Sequence, residues 1–413
     1  MRSGLATMLV ATLLLSGCFG AAPTTPGASR DAEDVPVRPS APTHDGKRED
    51  APDRERPPSR PTCRERPVSF THPPMRIEDF ATLIPYGHLA GAHVTPIDHM
   101  YFSPADPRSP RDAYEVFAIG DAFIVDIAHR DRPVDGQGQG NVSEYRIVLE
   151  HACGLTSYLD LVTSLAPDLE RAWRENATRR GGLAIPVAAG TVVGRIGGQT
   201  LDFGVYDERV VLPGFLTPSL YDREPWKVHT VDPFPHFENE TRALLLAKLV
   251  RMAEPRAGRI DYDVEGRLVG NWFRVATNGY AGVDPARYWT GHLAIVYDHI
   301  DPTQIRFSIG DFAGEARQFG VKGNGPDPAG VEAGSGVLKL ELVRYSHVDL
   351  DRPGEGWLMD RVAARPAAVN QERVEGVALV ELVEPRLLKV EVFPGLDAGS
   401  VAGFTEAARM YER

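Results

Sequence analysis

Two histidines and an aspartate fall within seven residues of "HVTPIDHMYF" (His93–Phe102): His93, Asp98 and His99. Imidazole and carboxylate are the donor types of a transition-metal site, and zinc takes both. On an extended segment His99 and Tyr101 share one face while Asp98 points to the other, so Asp98 and His99 are not expected to reach one ion. The same groups could equally form a hydrogen-bonded network without a metal. His88, in "IPYGHLAGAH", is close in sequence and has no assigned role.

The elements around these residues read as strands. "YEVFAIGDAFIVDIAH" alternates as a hairpin turning near Gly120–Asp121, "SEYRIVLEHACG" as a strand ending at Gly154, and "GTVVGRIGGQTLDFGVYD" as glycine-punctuated strand and turn. "SYLDLVTSLAPDLERAWREN" has helical spacing. The expected class is mainly β, an antiparallel β domain followed by a second β-barrel or sandwich with few helices.

The order of these segments resembles the lysostaphin-type (beta-lytic) zinc metallopeptidases. "VFAIGDAFIV" (116–125), "HACGLTSYLDL" (151–161), "VAAGTVVGRIGG" (187–198) and "TLDFGV" (200–205) follow one another as that family's motifs do, within Thr82 to Asp207. The resemblance implies a zinc held first by His93 and Asp98, although the family spacing is HxxxD and this chain has HxxxxD; His99 could stand in for Asp98. It places Asp202 where a ligand histidine is expected. Thr200 and Asp160 replace the two histidines that would act on water. Asp160 alone keeps a titratable group, so it is the candidate base. His151 and Tyr101 fall beside the groove the resemblance implies. Read from the residues alone, Leu201, Phe203 and Val205 alternate toward a core and leave Asp202 on the opposite face, as a structural carboxylate would lie.

The amino terminus sets the address. "MRSGLATMLVATLLLSGC" has a basic start, an apolar core too short to span a bilayer and a small-residue cleavage site. It resembles a bacterial lipoprotein signal, which implies lipidation of Cys18 (residues 1–18) and an extracytoplasmic, membrane-anchored protein, in the outer membrane where the cell has one. Residues 19–62 are rich in proline and charge and read as a disordered linker reaching on the order of 35–45 Å. Of three cysteines, Cys63 and Cys153 remain as a disulfide candidate in an oxidising compartment. The net charge of −12 argues against nucleic acid but not against peptidoglycan or an envelope protein.

Residues 63–217 form the expected peptidase-like domain, 218–237 a proline-rich connector, and 238–413 the barrel or sandwich. In the last part "ENETRALLLAKLVRMAEP" and "FTEAARMYER" read as helices flanking alternating strands. "GNWF" (270–273) resembles the G-x-W of lipocalin barrels, with Trp272 read as core. No nucleophile elbow, P-loop or HExxH is present. The leading expectation is a noncatalytic envelope lipoprotein binding cell wall or an envelope partner. The rivals are a divergent zinc-dependent peptidoglycan endopeptidase and a small-ligand-binding barrel.

Overall fold

The computed structural model describes residues 68–133, 141–176 and 182–413. Cys18, the linker and Cys63 lie outside the described residues. The protein is mainly β, as expected. The first half carries β1 (Phe80–Ile84), β2 (Met100–Pro104), β3 (Tyr114–Phe117), β4 (Ala122–Pro133), β5 (Asn141–Ala152), β6 (Leu155–Val162), β7 (Ser164–Leu165), α1 (Pro167–Asn176), β8 (Ile185–Val187), β9 (Val192–Ile196) and β10 (Leu201–Asp207). Seven strands form one antiparallel sheet in the order β1-β2-β10-β6-β5-β4-β8, and β3-β9-β7 form a small second sheet.

Period-two alternation gives the large sheet two unlike faces. Cross-strand partners Met100, Phe203 and Leu159, with Ile147 beside them, lie on the core face. Tyr101, Asp202 and Asp160 stand opposite one another on the other face, with Tyr158 two residues along. A register shift between Tyr145 and Ile147 sets Asp160 and Leu161 against Arg146, and Leu161 has φ of 64°. Such a bulge re-aims the side chains beside it.

The second half contains α2 (Asn239–Lys248) and strands β11 (Gly270–Arg274), β12 (His292–Tyr297), β13 (Ile305–Phe312), β14 (Glu315–Val321), β15 (Leu338–Asp349), β16 (Pro366–Glu384), β17 (Leu387–Pro394) and β18 (Arg409–Glu412). These eight strands close into an antiparallel barrel. Trp272, Leu293, Ile295, Phe307, Phe319, Leu342, Val380, Leu388 and Tyr411 join in one apolar cluster. Trp272 is fully buried, its Nε1 donates to the Leu268 carbonyl at 3.0 Å, and the Arg413 guanidinium stacks 4.0 Å from its ring.

Four local expectations fail for tertiary reasons. The segment around Gly120–Asp121 is no hairpin: β3 pairs with β9, while β4 pairs with β5 and β8. "SYLDLVTSLA" is strand, because β6 lies between β5 and β10 and is buried at almost every position, which erases alternation. The helix after Glu238 ends at Lys248, since Leu249 and Val250 leave it to meet Leu83 of β1. "FTEAARMYER" ends in β18, which pairs with β11 and β17 and so closes the barrel's last edge.

The halves share packing. Phe273 and Tyr280 belong to the same core cluster as Phe102 and Phe203. The β15–β16 hairpin runs past the barrel, and Trp357 and Ala363 in its connection pack with Val250 and Ile300. Thr82 of β1 donates to the Met359 carbonyl at 2.6 Å. Buried Arg251 donates to the carbonyls of Ala253, Pro255, Glu254 and His299.

His292 is buried at this seam, with rings of Phe273 and Tyr280 each 5.0 Å away. Burial pushes its imidazole down to about 3. Unfolded chain takes up that proton near pH 6.5, so this histidine costs the folded state stability as pH falls from about 6.5 toward about 3. His292→Phe keeps the ring contacts and should lose less thermal stability between about pH 6.5 and about pH 4.5 than the parent. Parallel melting curves across that range would refute this.

Candidate functional site

The polar face of the large sheet gathers its charges around His99. Asp98 and His99 lie in a bend just before β2 begins, so strand alternation does not separate them. Nδ1 of His99 is 3.7 Å from Asp98 Oδ1, and Nε2 is 3.3 Å from Asp202 Oδ2. The second approach is close enough for an ion pair but outside hydrogen-bond geometry, which leaves Nε2 buried without a hydrogen-bond partner. The expectation that Asp98 and His99 face apart is therefore corrected: one imidazole sits between two carboxylates.

Asp98 has further partners. Trp226 Nε1 donates to Oδ2 at 3.0 Å, the Lys227 ammonium lies 3.2 Å from Oδ1, and the Tyr158 hydroxyl is 3.3 Å from Oδ2. Trp226 and Lys227 come from a 3-10 turn, Pro225–His229, inside the segment read as a connector. That segment packs into the first half through buried Tyr221, Val228, Phe234 and Phe237. Burial opposes ionisation of Asp98, yet the Lys227 ammonium and His99 hold its carboxyl well below the usual range. Lys227 itself is fully buried.

Asp202 behaves differently. Burial pushes its carboxyl up to about 7 against the attraction of His99, and Asp160 adds like-charge repulsion. Burial lowers the His99 imidazole, but Asp202 and Asp98 more than offset this and raise it. The His99–Asp202 pair therefore retains a proton close to neutrality. The Thr200 hydroxyl reaches Asp202 Oδ1 at 3.4 Å. Asp160, opposite Asp202, is held by both terminal nitrogens of Arg130 and accepts from the Leu161 amide at 2.7 Å. Tyr158 lies over Gly204; a Cβ there would stand 2.4 Å from the Tyr158 ring, so the strand needs glycine at that point.

The remaining sequence candidates separate. His93 is exposed, with its ring 6.0 Å from that of His99. Tyr101 packs edge-on against His99 at 4.9 Å and against His88 at 6.0 Å. His151 is buried instead of lining a groove: its Nε2 is 2.8 Å from the Ser157 hydroxyl and its ring 4.8 Å from Phe70. Cys153 occupies the turn between β5 and β6.

A catalytic zinc needs three donors at about 2.0–2.2 Å around one vacant centre. His93, Asp98, His99 and Asp202 do not fit that requirement, because His93 stands off and a lysine cation already faces Asp98. Among the described residues the group whose ligand atoms lie within 4.8 Å of one another is Asp298, His299 and His347. The sequence reading missed it, since Asp298–His299 and His347 are far apart in the chain. His347 Nε2 is 3.0 Å from Asp298 Oδ2, Arg306 Nε is 2.8 Å from the same oxygen, and Oδ1 accepts from the amides of Ile300 and Asp301 at 2.9 Å each. His88 Nδ1 lies 3.1 Å from His299 Nε2. Asp298 is thus already charge-matched by Arg306 and fully hydrogen-bonded, which makes the group a clasp between the barrel and the segment before β2.

No protein family and no curated protein matches the chain. Two crystal structures of Helicobacter pylori Csd3 are similar over part of it, at 13% and 14% identity with TM-scores of 0.23 and 0.22. The match covers 43% of this chain and 39% and 37% of those chains, so it spans well under two thirds of their length.

Lys227→Met would leave Asp98 buried without its cation. Removing one partner of a buried pair costs about 3–5 kcal/mol, because the other charge stays uncompensated. Asp98→Asn combined with Lys227→Met should cost less than Lys227→Met alone. Urea denaturation of both variants measures this, and a double variant no more stable than the single one would overturn the pairing argument.

Proposed function

We propose that the protein is an extracytoplasmic lipoprotein whose first sheet offers a noncatalytic groove to cell-wall polymer or to an envelope protein. The observation that carries this reading is the engagement of the groups hydrolysis would need. Lys227 faces Asp98, and Arg130 holds Asp160. In the lysostaphin-type arrangement that the sequence resembles, Asp98 would bind metal and Asp160 would replace a histidine acting on water. A general base contributes about 10²–10⁴-fold, so a carboxylate tied to a guanidinium and two absent histidines are together severe losses. Zinc has no part in the proposed activity.

The anchor belongs to the same proposal. Lipid on Cys18 and the linker through residue 62 would hold the folded part away from a membrane, within reach of the wall. A Cys63–Cys153 disulfide would tie the end of the linker to the β5–β6 turn.

Two experiments test this. Purified protein mixed with peptidoglycan sacculi, with and without added zinc, should co-sediment with them and release no soluble muropeptides. Zinc-dependent release abolished by His99→Ala or Asp202→Ala would replace this reading with the divergent hydrolase. Cys18→Ser should move the protein from the detergent phase to the aqueous phase on phase separation, and unchanged partitioning would remove the lipid anchor.

A further inference from the structure

Arg146 of β5 is a guanidinium whose charge helps hold Asp98 ionised but whose N–H groups donate to no acceptor among the described residues. It lies on the polar face of the large sheet, two residues before Val148, the cross-strand partner of Tyr158. It is half-buried. Its Cζ is 4.0 Å from the centroid of the Tyr158 ring and 4.4 Å from that of Trp226. Rings this close restrain the plane of the cation and leave its N–H edge as the part able to meet a partner.

Both rings are themselves fixed. The polar atoms of Trp226 and Tyr158 point at Asp98, the carboxylate that Lys227 neutralises. The buried ion pair thus orients two aromatic side chains, and these orient Arg146. Neighbouring arginines spend their donors on the protein: Arg130 on Asp160, Arg111 on the carbonyls of Ser143 and Thr163, Arg209 on Asp207. Among the described residues no oxygen accepts a hydrogen bond from Arg146, and Asp98 is already satisfied by other donors.

A planar fork of N–H groups matches a carboxylate through two parallel charge-assisted bonds. Charge selects a carboxylate over a phosphate. Asp98 and Asp160 are already matched by Lys227 and Arg130, so the background a ligand meets is that of the whole chain, which carries −12. A dianion would meet this field with one guanidinium to balance it, whereas a monoanion is matched one to one.

We propose that Arg146 is the carboxylate-binding residue of the groove, taking a singly charged carboxylate from a peptide terminus or an acidic sugar edge-on. This inference rests on the groove reading above. The full chain, held in detergent, is titrated calorimetrically with N-acetyl-D-alanyl-D-alanine, its C-terminal amide, N-acetylmuramic acid and the methyl ester of that sugar. At least one acid is expected to bind, and its neutral counterpart to bind roughly 10–100-fold more weakly. Which acid binds identifies the source. Arg146→Lys keeps the charge but removes the fork, and should weaken the same acid by a similar factor with the melting temperature unchanged. Equal binding of acid and neutral form, wild-type affinity in Arg146→Lys, or no binding of any of the four compounds would each overturn the inference. Sacculus co-sedimentation by the same Arg146→Lys protein separates the two readings: sedimentation without acid selectivity leaves the groove and removes the role of Arg146.

Discussion

The ion pair between Asp98 and Lys227 fixes the relation among three parts of the molecule. Asp98 stands at the start of β2, Lys227 rises from the 3-10 turn that crosses the polar face, and the lysine nitrogen lies 5.2 Å from the ring of Tyr280, in the loop before the barrel's second strand. Two charges taken out of water are expensive, and their attraction offsets the cost only when other hydrogen bonds satisfy what remains. Here Trp226 and Tyr158 supply those bonds to Asp98. The pair therefore dictates a geometry more than it contributes stability: if the turn moves, a buried carboxylate and a buried ammonium are both left alone.

Similar logic joins the barrel to the first sheet at a second place. Asp298 collects Arg306, His347 and two backbone amides, and His299 beside it reaches His88 in the connection from β1 to β2. Burial and the neighbouring His88 keep His299 far below its ordinary range, so it stays neutral and can share one proton with His88. The β15–β16 hairpin carries His347 to this point and places Trp357 and Ala363 against Val250. The barrel thus contributes its outer wall, while its own apolar cluster around Trp272 is complete without the first half.

Much of this fold was legible in the sequence because it depends on alternation. Leu201, Phe203 and Val205 read as one face and Asp202 as the other, and β10 is built that way. Trp272 read as core and is core. Legibility failed where an element is buried on both faces, as in β6, or where closure of a sheet decides the conformation, as in β18. In the site, Asp202, Asp160 and His99 were found by order and by alternation. Lys227, Trp226 and Arg146 were not, since "PWKVH" carries no periodic signal and a lysine in a proline-rich stretch reads as solvated. Only the packing of that stretch through Val228 and Phe234 shows that its lysine must be buried, and a buried lysine requires a carboxylate.

The charges of the polar face then balance in pairs. Asp98 is matched by Lys227, Asp160 by Arg130, and Asp202 with His99 through a retained proton. A hydrolytic centre needs the opposite condition: a base with a lone pair free for water and an electrophile not yet neutralised. Asp98 and Asp160 are tied to cations of the protein itself, while Asp202, pushed up to about 7, shares a proton with His99. What the face still offers is one stacked guanidinium with its N–H edge unspent. A stacked guanidinium of this kind is the feature of the face best suited to meet an acceptor-rich ligand.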